Sequence, residues 1–245
     1  MESIEDSILR GKNVLVVDDE VDLREIVASE LDFMGASVQE AGNIANADSI
    51  LKEKKIDLII SDIRMPGGTG VELLKTVKAR NILNPPMILI TGFADVTPEE
   101  AYAEGAEALL NKPFQLDELI QVSARLLRPL DQRFMETTVE AVKELRFESA
   151  LALKQTRDFE LGRGGFFVKI PNQKKYEVGD QVKFVLKFGD QELQGVAITR
   201  WGKLTDSDNK LCLGMEFLSL ENSSREYLLD HWKSSPGLAF IPRSH

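Results

Sequence analysis

One cysteine, two histidines and two tryptophans in 245 residues leave little material for several kinds of chemistry. A single cysteine makes an intrachain disulfide impossible. Cys212 lies inside the apolar run LCLGMEF, the setting of a small buried side chain rather than of a reactive thiol. His231 and His245 have no cysteine or carboxylate partners at ligand spacing, so no zinc-type site is expected. No apolar run approaches the roughly 18 residues that a membrane span requires. The start, MESIEDSILRGK, carries acids where a secretory signal carries bases, and the expectation is a cytoplasmic chain without a membrane span. Positive charge is also short. A net charge of −10, with no helix-turn-helix pattern and no basic stripe, argues against a nucleic-acid partner, because such partners are held by displacing counterions.

Apolar side chain is plentiful at 43%, enough for one large or two modest cores. The charge is unevenly divided. Residues 1–145 hold 15 basic against 27 acidic side chains, a net of −12, and residues 146–245 hold 15 against 13, a net of +2. Two units with different tasks are implied.

From residue 11 to 128 short apolar runs alternate with amphipathic stretches. NVLVVD, ASVQEA, IDLIISD, MILIT and EALLNK read as strands, and the first, third and fourth are nearly continuous hydrophobes, as in strands buried on both faces. Between them, Leu23, Ile26, Val27, Leu31 and Met34 recur at helical spacing before Gly35, and Thr97-Pro98 opens a further helix. The pattern predicts an α/β doubly wound five-stranded parallel sheet. Residues 129–146, polar and free of glycine, place Phe134, Val139, Val142 and Leu145 near helical intervals and read as a helical linker. Such a linker either transmits a signal or merely caps the first domain. Residues 147–245 change to period two, as in Val182, Phe184, Leu186 and Phe188, and in Leu211, Leu213, Met215 and Phe217. With Gly179-Asp180 and Gly189-Asp190 as turns, this half predicts a small antiparallel β-barrel closed by a helix near 224–232.

In open α/β sheets ligands bind beyond the carboxyl ends of the strands. Those ends here carry Asp18, Asp19, Asp62, Thr91 and Lys112. Two carboxylates about 4 Å apart repel by roughly 4 kcal/mol at an effective dielectric near 20, so such a cluster calls for cations. Mg²⁺ and the fixed charge of Lys112 meet the need, and together they suit a phosphoryl group attacked in line by the Asp62 carboxylate.

The set VVDDE, SDIRMPG, LITG and NKPF, in this order, resembles the receiver domains of response regulators over residues 11–128. The resemblance implies that Asp62 accepts phosphate, that Asp19, Asp62 and the main-chain carbonyl of Arg64 hold Mg²⁺ with support from Asp18, that Thr91 and Lys112 contact the phosphoryl group, and that Pro113 follows a cis bond. A sensor histidine kinase or phosphotransfer protein is then the donor, and homodimerisation is a family expectation. One departure is Leu109, where many receivers place a switching aromatic three residues before the lysine.

ELGRGGFFVKIP, YEVGDQVKFVLKF and LGMEFLSLENSSREYL resemble the PilZ family, whose many members bind cyclic di-GMP, across residues 148–232. Binders carry RxxxR and DxSxxG; here no RxxxR occurs between Arg125 and Arg163, and ELGRGG keeps only the final glycine. At about 1.5–3 kcal/mol for each charge-assisted contact, two lost arginines remove a hundredfold or more in affinity. Arg146, Arg157, Glu160, Arg163 and Gly165 are the candidates for a replacement site, whereas Gly164-Gly165 without a ligand serves a bend or bulge into the next strand. The first reading is a degenerate PilZ output domain that engages an unknown protein. The second is a cyclic di-GMP effector that integrates two inputs. A hydrolase with an Asp nucleophile ranks below both, because no second acid or base stands beside Asp62 in these motifs.

Overall fold

A computed structural model describes residues 4–81, 85–92, 96–129, 132–135, 141, 143–172, 176–205, 209–234 and 239–243. The chain divides into two compact units, Met1–Thr97 with Glu104–Arg128, and Pro98–Ala103 with Pro129–His245. Among the described residues no helix is long and apolar enough to cross a membrane.

The first unit runs α1 (Ile4–Leu9), β1 (Asn13–Val17), α2 (Val21–Phe33), β2 (Ser37–Ala41), α3 (Ile44–Glu53), β3 (Leu58–Asp62), β4 (Arg64–Met65), β5 (Gly68–Thr69), α4 (Gly70–Arg80), β6 (Met87–Thr91), β7 (Ala108–Asn111) and α6 (Leu116–Leu127). Five strands pair in parallel in the order β2-β1-β3-β6-β7. Successive crossovers reverse direction once, and their right-handedness puts helices on both faces. Each of the five expected strand runs forms, and every residue of β3 and β6 is buried. α2 spans the helical run ending before Gly35. Thr69 and Glu72 form a capping box on α4: Glu72 N–H donates to Thr69 Oγ1 at 3.2 Å and Thr69 N–H to Glu72 Oε2 at 2.9 Å. SDIRMPG makes a two-residue hairpin, β4 with β5, turned at Gly67, whose φ of +83° suits a residue without Cβ. The acidic start of the chain forms α1, which packs on α6 and buries Leu9.

Lys78 and Glu107 form a fully buried ion pair in this unit. Lys78 Nζ of α4 lies 2.7 Å from Glu107 Oε1 and 2.8 Å from Oε2, and it donates to the Pro85 carbonyl at 3.1 Å. Glu107 Oε2 also accepts the Met87 N–H at 2.8 Å. The pair thus ties α4 to the start of β6 and to the residue before β7.

The second unit contains α5 (Pro98–Ala103), β8 (Lys143–Phe147), α7 (Ala150–Gln155), β9 (Phe159–Leu161), β10 (Gly165–Pro171), β11 (Gln181–Phe188), β12 (Gln191–Leu204), β13 (Lys210–Leu220) and α8 (Asn222–Ser234). Its six strands order as β8-β11-β12-β13-β10-β9. The period-two face buries Phe166, Phe184, Met215 and Phe217 in one aromatic core, with Phe166 and Phe184 rings 5.2 Å apart. Cys212 is buried, and Trp201 is buried with its ring stacked 6.0 Å from Phe167, so both behave as core residues. α8 forms as expected.

Two expectations need correction. The sheet is mixed rather than an antiparallel barrel, because β8 pairs with β11 in parallel. The linker expected to be helical over 129–146 contains β8 instead: in KELRF, Leu145 is buried between exposed Glu144 and Arg146, a period-two pattern that the longer helical spacing masked. Strand pairing to β11 supplies its backbone partners. Earlier in the same segment, Met135 bridges Ser219, Leu220 N–H donates to the Phe134 carbonyl at 3.0 Å, and the Phe134 ring sits edge-on to Phe217 at 5.8 Å. Val139 and Val142 lie outside the described residues.

Candidate functional site

Parallel strands that begin in register also end together, and the carboxyl ends of β1, β3, β6 and β7 bring Asp18, Asp62, Thr91 and Lys112 to one edge of the first unit. Lys112 Nζ is 2.7 Å from Asp62 Oδ1, 2.9 Å from Glu20 Oε1 and 3.4 Å from Asp18 Oδ2. Main-chain amides hold the carboxylates from the other side. Glu20 N–H donates to Asp18 Oδ1 at 2.8 Å, and Arg64 N–H donates to Asp62 Oδ2 at 2.7 Å. Asp18 and Asp62 are buried, Glu20 and Asp19 are exposed, and Thr91 is buried with its hydroxyl donating to the Gly92 carbonyl at 2.7 Å. The Lys112–Pro113 bond is cis, as the motif implied.

The electrostatics follow from this packing. Burial pushes the Asp18 carboxyl above its ordinary pKa, and the nearby Asp62 charge adds to the push, while the Glu20 N–H and Lys112 partly oppose it. For Lys112, burial acts downward, but its hydrogen bonds to Asp62 and Glu20 and the charges of Asp18 and Asp62 outweigh burial and raise its pKa. The lysine is therefore a fixed cation. One ammonium faces three carboxylates, so the pocket retains net negative charge.

Among the described residues no three carboxylate, histidine or cysteine side chains converge at metal-holding spacing. Asp19, expected beside Asp18 and Asp62, is exposed, and Lys112 links the two buried aspartates. The chemistry of the donor set nonetheless fits Mg²⁺, since its donors are hard carboxylate and carbonyl oxygens and the charge left over is negative.

Residues 14–124 match the family described as "Response regulator receiver domain". These residues are a receiver domain. Among curated proteins, the chain is 31% identical over 132 residues to the phosphate regulon transcriptional regulatory protein PhoB of Pseudomonas aeruginosa, covering 53% of this chain and 58% of that protein. It is 36% identical over 115 residues to the DNA-binding transcriptional regulator NtrC of Escherichia coli K12, covering 46% of this chain and 24% of that protein. The chain thus spans between about a quarter and somewhat over half of these relatives. Among solved structures, the receiver domain of NtrX from Brucella abortus is 33% identical, with 46% of this chain and 97% of that chain covered and a TM-score of 0.44. The response regulator TrrA of Thermotoga maritima, solved with Mg²⁺-BeF, is 30% identical over 47% of this chain and 98% of its own, with a TM-score of 0.43.

In this receiver domain Leu109 stands half-buried on β7, three residues before Lys112. No ring is available there to swing between buried and exposed positions. Glu20 is the polar neighbour of Lys112 that motif reading passed over, although it sits inside VVDDE.

The candidates in the second unit stand on separate elements. Arg146 is on β8, at one end of the strand order, where its Nε bonds Glu148 Oε1 at 2.9 Å. Glu160 is on β9, at the other end. Arg157 is exposed, with a φ of +60° just after α7. Arg163 is buried, its guanidinium 5.8 Å over the Phe240 ring.

The turn at 162–164 is filled by the chain itself. Arg163 N–H donates to the Ala239 carbonyl at 3.0 Å, Gly164 N–H to the Phe240 carbonyl at 2.9 Å, and Phe240 N–H to the Tyr102 carbonyl at 2.9 Å. Tyr102 stacks on Phe240 at 6.2 Å, and both are buried. A Cβ on Gly164 would fall within the Phe240 ring, and one on Gly165 would meet the Met215 carbonyl. A bend is present at 163–164, but these glycines serve close approach rather than a bulge. Gly164→Ala is accordingly expected to destabilise the second unit by about 1–3 kcal/mol through overpacking. Denaturant unfolding followed by the fluorescence of Trp201 measures it, and an unchanged midpoint contradicts the contact.

Proposed function

We propose that this chain is a phosphoacceptor response regulator whose second unit is a PilZ-like output domain that acts by contact with another protein. The observation that carries the reading is Lys112 Nζ at 2.7 Å from Asp62 Oδ1, a cation fixed beside the buried aspartate that ends β3, the middle strand of the sheet. An Asp62 carboxylate oxygen attacks phosphorus, the donor's bond to phosphorus breaks, and the leaving group carries away the electron pair, giving an acyl phosphate. Lys112 balances charge on the phosphoryl oxygens, and the Thr91 hydroxyl turns from the Gly92 carbonyl to donate to one of them. Asp18, Asp19, Asp62 and the Arg64 carbonyl would hold Mg²⁺, which supplies further charge neutralisation when bound. The carboxylates at the pocket, Asp18, Glu20 and Asp62, all engage Lys112, and the reading is of a phosphoacceptor with slow self-dephosphorylation rather than a turnover enzyme.

The donor is a sensor histidine kinase or a phosphotransfer protein. Exposed Val21 and Ile26 in the first half of α2, which starts directly after Glu20, give a protein donor apolar surface near the pocket. A nucleic-acid output is set aside because residues 146–245 carry only +2.

Cyclic di-GMP is the second reading. It ranks lower because Arg146 is paired with Glu148 and Arg163 is packed against Phe240. Calorimetry on the full chain with Mg²⁺ separates the readings. Beryllofluoride is expected to bind, and cyclic di-GMP to give no heat with or without it. Micromolar saturation by cyclic di-GMP would put the second reading first, and no heat from beryllofluoride would remove the phosphoacceptor reading.

A further inference from the structure

We infer that Glu20 is a positioning residue that holds the third donor of Lys112 until a phosphoryl oxygen takes it, and so sets how readily Asp62 is phosphorylated. The inference rests on Asp62 being the phosphoacceptor. An ammonium has three N–H donors, and carboxylates engage Lys112 three times: Asp62 at 2.7 Å, Glu20 at 2.9 Å and Asp18 at 3.4 Å. An incoming phosphoryl oxygen must therefore displace one of them. Asp18 and Asp62 are buried, with side chains 3% and 7% exposed, and would be left short of a partner inside the protein. The Glu20 side chain is 65% exposed, so water replaces what it gives up.

Glu20 occupies the N-cap of α2, where an acidic side chain ordinarily accepts an amide of the first turn, yet its side chain makes no cap hydrogen bond. Its backbone is fixed at both ends instead. Its N–H donates to Asp18 Oδ1 at 2.8 Å, and its carbonyl accepts from Arg24 N–H at 3.0 Å. The side chain is thereby aimed at Lys112 rather than at the helix. Its charge competes for the lysine and repels an arriving phosphoryl dianion, and both effects slow phosphorylation.

The test compares wild type with Glu20→Gln in the full chain, using acetyl phosphate as a small-molecule donor with Mg²⁺ and following incorporation by intact mass. Because the side chain caps nothing, Glu20→Gln is expected to leave unfolding unchanged. It is expected to raise the phosphorylation rate and the affinity for beryllofluoride about two- to fivefold, the range of an exposed ion pair. The gain should shrink as salt is raised, since the pair is exposed. Glu53→Gln, which removes one charge from the end of α3, should have no such effect. Equal rates in wild type and Glu20→Gln, a slower variant, or the same gain from Glu53→Gln would overturn the inference. If wild type itself takes up no phosphate, it is the phosphoacceptor reading that fails.

Discussion

Replacing Lys78 with Met is expected to destabilise the receiver domain by about 3–5 kcal/mol, the largest loss of stability from any single substitution considered in this unit. The pair with Glu107 is fully inaccessible to water on both sides. Removing the ammonium takes from a buried carboxylate the cation that bonds both its oxygens, and the penalty is that of a buried charge losing its counter-charge rather than of one lost hydrogen bond. Glu107→Gln should fall in the same direction and cost less, because an amide still accepts from Met87 and from Lys78. Lys78→Met combined with Glu107→Leu should lose less than the sum of the two single changes, since buried pairs are often replaceable by apolar groups of similar volume. Trp201 lies in the second unit, so its fluorescence is the wrong probe. Hydrogen exchange at the amides of β6 and β7 reports the right unit, and unchanged protection there would contradict a structural role for the pair.

Asp62→Asn is expected to abolish phosphate uptake from any donor while leaving the fold intact. An amide oxygen is a far weaker nucleophile than a carboxylate, and the substitution also removes the charge that Lys112 faces at 2.7 Å. Because the Arg64 N–H keeps an acceptor in the Asn side chain and one buried negative charge disappears from beside Asp18, stability should hold or rise. Measurement needs only intact mass after exposure to a small-molecule donor, with calorimetric unfolding as the control. Residual uptake near the wild-type level would place the nucleophile elsewhere.

How much of this was legible in the sequence depends on the range of the signal. β3 and β6 are buried on both faces, so their hydrophobic runs announce them without reference to the rest of the chain. The pocket residues were found for a related reason: the ends of those strands are where polar residues interrupt apolar ones. Lys78 and Glu107 gave no such notice. They are 29 positions apart, and each alone reads as surface charge on its own element. KELRF was misread as helix because Leu145 follows Phe134 at an interval that helical spacing accommodates, while the strand partner that decides the matter, β11, begins at Gln181. The Gly164 contact has the same character. Only the fold brings Phe240 over that turn, so the sequence shows a glycine pair and not what fills the space beside it. Glu20 lies in a motif that was read for its two aspartates, and the missing clue was the capping bond it does not make.

The most direct test of the central claim is chemical mapping of the phosphate. The full chain is incubated with Mg²⁺ and a small-molecule phosphodonor, the acyl phosphate is reduced with borohydride, which converts a phosphorylated aspartate to homoserine, and the position is read by peptide mass spectrometry. Homoserine at position 62 alone is the expected result; homoserine at another position, or none in a sample that still binds Mg²⁺, would contradict the account.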